Sequence, residues 1–505
     1  MAIRSLQKQE KNLIRNVLDF VDDSRTPAIV HDARHGIING VSDAMRGELD
    51  RLLLDDTKTT EQFSILISAF CEDTPLLSKI FGRINDYTEL LLPNDILNSG
   101  GFIDLLNNST YITDEDYLKT ELIGWLYQFY ISDRKVEAYQ NNGEWSVEEV
   151  EAGTQIFTPN WIVKYMVENT LGRIYLDKYP DAGLKNELKY LVQQSAENAS
   201  IYKFERIEDL RCADLSSGSG HILAEFFELL FRLYEEEWYD NRTAIENIFK
   251  YNLVGIDLDT RAKQLSTFSL LLKACQKDES FVDAEVMPQV LDMPSVKYTN
   301  ILPIINKLFV NYNADIKKEV VDAFKLMENA NELGSIMKFK LSESSRQALS
   351  SVVNSYRQDL NAETEIIKSI DLMLTLTEHY SAICMNPPYM GSTHMNTFLK
   401  SYVGDNYPDT KADLFAVFMD VAIERLKDDA KYGMINMQNW MFIPAFKNLR
   451  PTIIDQYHID SLIQLGTHLF DELNGERVQS VSFIITKHIS TTGGTYFRLI
   501  EGKNC

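Results

Sequence analysis

The sequence predicts an α/β chain: a doubly wound, mostly parallel sheet that follows a mostly helical N-terminal domain and is interrupted by a helical insertion. Three observations predict it. From Ile156 onward, short apolar runs alternate with long helical stretches, as strands joined by crossover helices do. Before that point the apolar residues keep helical spacing. The length of 505 residues, with 45% hydrophobic and 25% charged, suits at least two globular domains.

Residues 1–150 make the helical domain. Leu6, Leu13, Ile14, Val17, Leu18 and Val21 fall near i, i+3, i+4 and i+7 spacing. Residues 121–139 are rich in large aromatics and read as a helix packed on the next domain. The polar stretch 140–153 is the best linker. The second domain runs over 151–505. Its expected strands are 210–215, 253–257, 382–385, 433–437, 461–466 and 480–486, and its expected helices include 161–171, 220–234, 261–273 and 413–426. Residues 276–375 are polar and mainly helical and read as the insertion. Ligands of such sheets bind beyond the carboxyl ends of the strands, so functional motifs should follow strands.

Fifty basic and 74 acidic residues leave a net charge of −24. Spread evenly, that charge would repel nucleic acid. It is not even: residues 1–150 carry −12, residues 151–380 carry −10, and residues 381–505 only −2. Five cysteines show no CxxC pair and no metal-ligand spacing, which fits a reducing compartment and no bound metal. No apolar run is long enough to span a membrane, and the charged N-terminus is no signal peptide. The expected location is the cytoplasm.

Four motifs carry chemistry. The first is Asp214-Leu215-Ser216-Ser217-Gly218-Ser219-Gly220-His221, directly after an apolar run and before a helix. Its glycines permit left-handed backbone and close approach to a ligand. It lacks the lysine of a phosphate loop and the third glycine of a dinucleotide fingerprint. A strand, an Asp and GxG at a helix start suit S-adenosylmethionine, and equally a tight turn with no ligand. The second is Val254-Gly255-Ile256-Asp257-Leu258-Asp259. An acid at a strand end accepts ribose hydroxyls in nucleoside-binding sheets, and Asp257 is the favoured position; Asp259 also suits a helix cap.

The third motif decides between these readings: Asn386-Pro387-Pro388-Tyr389 after the apolar run AICM. Two prolines remove two backbone donors and leave acceptors exposed at a strand end. The amide oxygen of Asn386 and the carbonyl of Pro387 can accept both hydrogens of an exocyclic amine, freeing its lone pair for attack on a sulfonium methyl. Tyr389 offers a flat face to a planar ring. The fourth is Phe157-Thr158-Pro159, which reads either as a helix start with Thr158 capping or as a lid over the methionine end of the cofactor.

In this order, FTP, DxxxGxG, an acid after the second strand and NPPY, the chain resembles the gamma class of amino-methyltransferases that act on adenine N6 of DNA. IGWLYQFYISDRKVEAY, TQIFTPNWIVKYMVENTLGRIYL, GSGHIL, ELGSI at 332–336, and MNPPYMG followed by KADLFAVFMDVAIERLKDDAKYGMINMQNWMF are similar to the PglX methyltransferases of BREX phage-defence systems. The likeness covers roughly 154–490. It implies a Rossmann-like class I methyltransferase domain that takes S-adenosylmethionine. Phe157, Thr158 and Pro159, with Asp214, Ser216, Gly218 and Gly220, would contact the cofactor, and Asp257 would hold its ribose. Asn386 and Pro387, with Pro388, would bind the target amine, and Tyr389 would stack on a flipped adenine. Double-stranded DNA and other phage-defence proteins are the implied partners.

Two departures stand out. Leu215-Ser216-Ser217 occupies the place where the family commonly has Pro-Ala-Cys. Family members are also much longer, and their second half carries target recognition. The chain is therefore expected to be a piece of a longer protein and to bind DNA weakly and with strong salt dependence. Two other readings remain at this point. An NPPY motif presents an amide NH₂ equally well, which would make the chain a protein glutamine or other amide methyltransferase. The acidic first 150 residues favour a non-catalytic cofactor-binding subunit of a defence complex. His458 and His468 read as ordinary loop or helix-end residues. Lys400, Lys411, Lys447 and Arg450 read as a solvated face or as phosphate contacts.

Overall fold

The computed structural model describes the chain except residues 10–12, 22, 82–91, 120, 142, 156–157, 194–201, 284, 361–364, 467–478, 491–492 and 501–505, and the side chains of 121, 123 and 356–360. Phe157, His468 and Cys505 thus lie outside the described residues. The chain divides into two compact units, Met1–Gly124 with Thr267–Met287, and Trp125–Ser266 with Pro288–Cys505.

The first unit is helical. Ala2–Lys8, Ala28–Arg34, Asp43–Leu52, Thr59–Asp73, Pro75–Phe81 and Phe102–Asn108 are its main helices. Phe63, Leu66, Ile67 and Phe70 sit at i, i+3, i+4 and i+7 on Thr59–Asp73, and all four are buried. The first helix ends at Lys8, well short of the period that the sequence carries on to Val21. Side-chain bonds compete with the helix there. Asn16 Oδ1 accepts from the Asp19 backbone N–H at 3.1 Å and from Gln7 at 2.9 Å. Leu6, Ile14, Val17 and Leu18 are buried all the same, whereas Val21 is exposed.

The second unit holds one eight-stranded sheet. Its strands are β1 (Cys212–Asp214), β2 (Leu253–Ile256), β3 (Gln289–Leu291), β4 (Tyr380–Met385), β5 (Leu426–Met437), β6 (His458–Gly466), β7 (Ser480–Thr486) and β8 (Thr495–Arg498). The spatial order is β3-β2-β1-β4-β5-β7-β6-β8. β3, β2, β1, β4 and β5 pair in parallel; β7 runs antiparallel between β5 and β6. Every residue of β1, β2, β4 and β7 is buried, as strands covered on both faces require. The strand order turns back at β1 and β4, and this switch point places the loops after those strands side by side.

All six expected strands form. β3 and β8 went unread: each has three or four residues, and β3 lies inside the stretch 276–375. That stretch is thus not wholly helical, although Tyr298–Leu308, Ala314–Met327, Glu343–Leu360 and Glu365–Leu376 are. The stretch 140–153, expected as a linker, contains most of the helix Val147–Thr154, whose Ser146 and Glu149 form a reciprocal cap.

One buried ion pair ties three strands together. Lys431 of β5 donates to Asp460 of β6 at 2.6 Å and to the Thr486 hydroxyl of β7 at 2.7 Å; that hydroxyl donates in turn to Asp460. Both charged side chains are 4% exposed. Lys431→Ala leaves Asp460 as an uncompensated buried charge. The expected loss is about 3–5 kcal/mol in urea unfolding, and Lys431→Met with Asp460→Leu recovers most of it.

Candidate functional site

The site grows from the end of β1. Asp214 is buried there, and burial holds its carboxyl pKa well above the ordinary value, with the Asp257 charge adding to the shift. The Ser216 backbone N–H donates to Asp214 at 3.1 Å. The chain then turns through Gly218 (φ +50°) and Gly220 (φ +90°) into the helix His221–Glu236. Glycine is required at 220 on two counts. Its φ is left-handed, and a Cβ would lie 2.4 Å from Ser266 Oγ and 2.9 Å from Ser266 Cα.

Backbone bonds fix this loop to β2. Ser217 N–H donates to the Ile256 carbonyl at 2.9 Å, and Gly218 N–H donates to Asp257 Oδ2 at 2.7 Å. Asp257 also accepts from the Asp259 N–H at 2.9 Å. Burial outweighs these bonds and moves the Asp257 pKa up to about 6. Asp259 caps the next helix, accepting from Arg261 N–H at 2.8 Å and from the Tyr127 hydroxyl. Glu151 stands on the same cavity, and its pKa is pushed up to about 7 by burial and then by Asp259 and Asp257.

At the end of β4, Asn386 is held at three atoms. Its Nδ2 donates to Thr158 Oγ1 at 3.1 Å, its Oδ1 accepts from the Tyr389 hydroxyl at 2.9 Å, and its backbone carbonyl accepts from Ser216 Oγ at 3.1 Å. Thr158 therefore does not cap the following helix, Asn160–Val167. Pro159 is the cap residue and makes no side-chain cap bond. Tyr389 is buried edge-on against Phe415, with ring centroids 6.3 Å apart, and its hydroxyl also reaches the Ile435 carbonyl at 3.3 Å. Its ring must turn outward before it can stack on a ligand. Asp413 joins the two ends of this segment, accepting from Met390 N–H at 3.0 Å and from Phe415 N–H at 3.3 Å at the start of helix Leu414–Arg425.

These pieces enclose a cavity of about 330 Å³. Thr158, Asp214, Ser216, Gly218, Asp257, Asn386 and Pro388 line it; Pro159, Gly220, Pro387 and Tyr389 are not among its lining residues. Three further pieces of wall come from segments to which sequence reading gave no site role. They are Tyr127, the stretch around Trp145 and Glu151, and the turn at 331–336, where Ser335 Oγ donates to the Leu215 carbonyl at 2.6 Å. Trp145 is buried, its backbone N–H donates to the His394 carbonyl at 2.9 Å, and its ring lies 4.6 Å from that of His394. Nothing periodic marks Trp145 or Glu151 in the sequence. Asp413 does carry a signal, an Asp directly before an apolar helical run.

Among the described residues no helix is long and apolar enough to cross a membrane, and no group of three His, Cys, Asp or Glu side chains is placed to hold a metal.

Five parallel strands with their switch point at β1 and β4, a reversed β7, and loops from β1, β2 and β4 meeting at one cavity make this a class I S-adenosylmethionine-dependent methyltransferase fold. Residues 251–470 match the family model described as Eco57I restriction-modification methylase. The chain is homologous to the adenine-specific methyltransferase BrxX of Escherichia coli O9:H4 (strain HS), with 32% identity over 84% of this chain and 38% of that protein. It is likewise homologous to the adenine-specific methyltransferase PglX of Lacticaseibacillus casei (strain Zhang), with 31% identity over 99% of this chain and 43% of that protein. The chain thus spans about two fifths of the length of these curated relatives. Among solved structures, a nuclease-deletion mutant of the Type ISP restriction-modification enzyme LlaGI with a DNA substrate mimic aligns at a TM-score of 0.46, with 11% identity over 93% of this chain and 35% of that one.

Two outcomes test the site's physics. Gly220→Ala is expected to cost about 2 kcal/mol or more in thermal unfolding and to weaken binding in the cavity, because both φ and the Ser266 contact oppose it. The second concerns pH. Folded Glu151 takes up its proton near pH 7, against an ordinary value of 4.5, so between these values the folded state holds more protons than the unfolded one. Its penalty is full above pH 7 and fades as pH falls. Glu151→Gln should therefore raise the melting midpoint more at pH 8 than at pH 5.

Proposed function

We propose that this chain is the methyl-transferring part of a PglX-type, site-specific DNA adenine-N6 methyltransferase. It uses S-adenosylmethionine and marks self DNA in BREX-type phage defence, in the cytoplasm. The observation that carries the reading is the placement of Asn386, Pro387 and Pro388 at the carboxyl end of β4, with Asn386 and Pro388 on the wall of the same cavity as the 214–220 loop and Asp257.

The residues present fit the cofactor. A cavity of about 330 Å³ ringed by Asp214, Asp257, Asp259 and Glu151 suits a ligand with an ammonium, a sulfonium and a ribose. Buried Ser217 Oγ has no partner among the described residues and adds a polar group there. When bound, S-adenosylmethionine supplies an electrophilic methyl group. Asp257 would take the ribose hydroxyls, and the loop from Asp214 to Gly218 would face the methionine end, with Thr158 beside it.

Asn386 would do the positioning. Thr158 takes its NH₂, which leaves its oxygen as the acceptor for the amine. An incoming adenine amine would replace the Tyr389 hydroxyl on Asn386 Oδ1, and that hydroxyl keeps the Ile435 carbonyl as acceptor. With the Pro387 carbonyl accepting its second hydrogen, the amine's lone pair is free for attack, and no base need act first. Duplex DNA and other defence proteins are the proposed partners. With this chain alone, DNA binding is weak, since its net charge is −24, and what binding there is rests on a few cation–phosphate contacts that salt weakens.

The test is tritiated methyl transfer to DNA from a host lacking the gene, using the protein expressed from its native gene. Label is expected in adenine, and Asn386→Ala should lower it by about a hundredfold or more with little change in cofactor affinity. Label in protein instead would establish an amide methyltransferase, and cofactor binding without transfer would establish a non-catalytic subunit.

A further inference from the structure

The loop that follows β5 presents an apolar tip next to the site. Phe442 and Ile443 lie between the short turns Gln438–Met441 and Pro444–Phe446 and are 62% and 40% exposed. The tip is rigid. Arg450 donates to the Trp440 carbonyl at 3.0 Å and to the Ile443 carbonyl at 2.8 Å, so one guanidinium clamps both sides of it. Trp440 is anchored against Phe483, with ring centroids 5.5 Å apart. The Asn448 side chain fixes the far end by donating to Asp409 at 2.8 Å.

The loop is also keyed to Asn386. Buried Phe446 packs on Phe415 at 5.6 Å, Phe415 meets Tyr389 edge-on, and the Tyr389 hydroxyl bonds Asn386. Phe442 lies outside the cavity lining, so it has no part in holding the cofactor. The charge around it opposes a polyanion less than the rest of the chain does. Lys447 has no carboxylate partner among the described residues, and Arg450 donates to the two backbone carbonyls. This last quarter of the chain also carries only −2 of the −24.

We propose that Phe442, backed by Ile443, is a wedge that enters duplex DNA and fills the gap left when the target adenine swings out to Asn386. The inference rests on the DNA reading above and deepens it. Extruding a base leaves a void between its neighbours. A pre-positioned apolar side chain that fills the void offsets the lost stacking, and flanking cations hold the phosphates. The contacts from Phe446 through Phe415 to Tyr389 place the wedge loop beside the amide that receives the base.

The test compares binding at low salt to an intact duplex oligonucleotide and to the same duplex with one tetrahydrofuran abasic position, which offers the void ready-made. Wild-type protein from the native gene should prefer the abasic duplex by about fivefold or more. Phe442→Ala should bring the two affinities within about twofold while leaving cofactor affinity and melting midpoint unchanged, and Phe442→Trp should keep the preference. An unchanged preference in Phe442→Ala overturns the wedge, as does a wild type with no preference or no duplex binding. The methyl-transfer assay separates the two failures. Label in DNA adenine together with an Ala variant that keeps its preference removes the wedge alone, whereas label in protein removes the DNA reading beneath it.

Discussion

The site depends on the side-chain amide of Asn386 being gripped at both ends. An unsupported asparagine presents its NH₂ and its oxygen in either direction at nearly equal energy. Here the Thr158 hydroxyl accepts at one end and the Tyr389 hydroxyl donates at the other, so one orientation is set. Ser216 adds a bond to the backbone carbonyl of the same residue. Residues 158, 216 and 386 meet only because β1 and β4 are neighbours and parallel, with Cys212 opposite Ala382 and Ala213 opposite Ile383. The sheet's switch point thus brings the loops after these two strands together.

That arrangement places several carboxyl groups around one cavity. Asp214 is buried and Asp257 half-buried beside it, and Glu151 joins them from a helix far away in sequence. Backbone N–H groups from Ser216, Gly218 and Asp259 offset part of the desolvation but not all of it, since the pKa of each of the three carboxyl groups remains raised. The rest of the unit must supply the stability that this cluster removes. The Lys431–Asp460–Thr486 network lies on the other half of the sheet. Unlike the cavity, it satisfies its charges internally, so buried ionic groups serve opposite ends in one domain.

Much of this was legible in the sequence. Strands β1, β2, β4, β6 and β7 are apolar runs, and the motifs follow the first three of them, so their convergence was readable from order alone. The true extent of β5 was not. Its first half, Leu426–Lys431, is polar and alternates poorly, and pairing with β4 and β7 makes it a strand. β3 is three residues long, too short for any period to show. Thr158 looks like a helix cap, and its bond to Asn386 is a contact across 228 positions that no local rule supplies. Trp145 and Glu151 sit in a stretch whose polarity reads as a linker, because a cavity wall needs no hydrophobic period. Tyr389 reads in the sequence as a flat face offered to a ligand, whereas its inward packing against Phe415 follows from the helix that Asp413 starts.

The raised carboxyl pKa values have a consequence for how the cavity fills. Near neutral pH the site holds protons that an ordinary surface carboxylate would have released. A cationic ligand restores the value of the charged form, so its entry expels protons into solution. Occupancy is then an exchange of one kind of positive charge for another. The apparent affinity for such a ligand would then follow the acidity of its surroundings, and a neutral ligand of the same shape would take no part in that exchange.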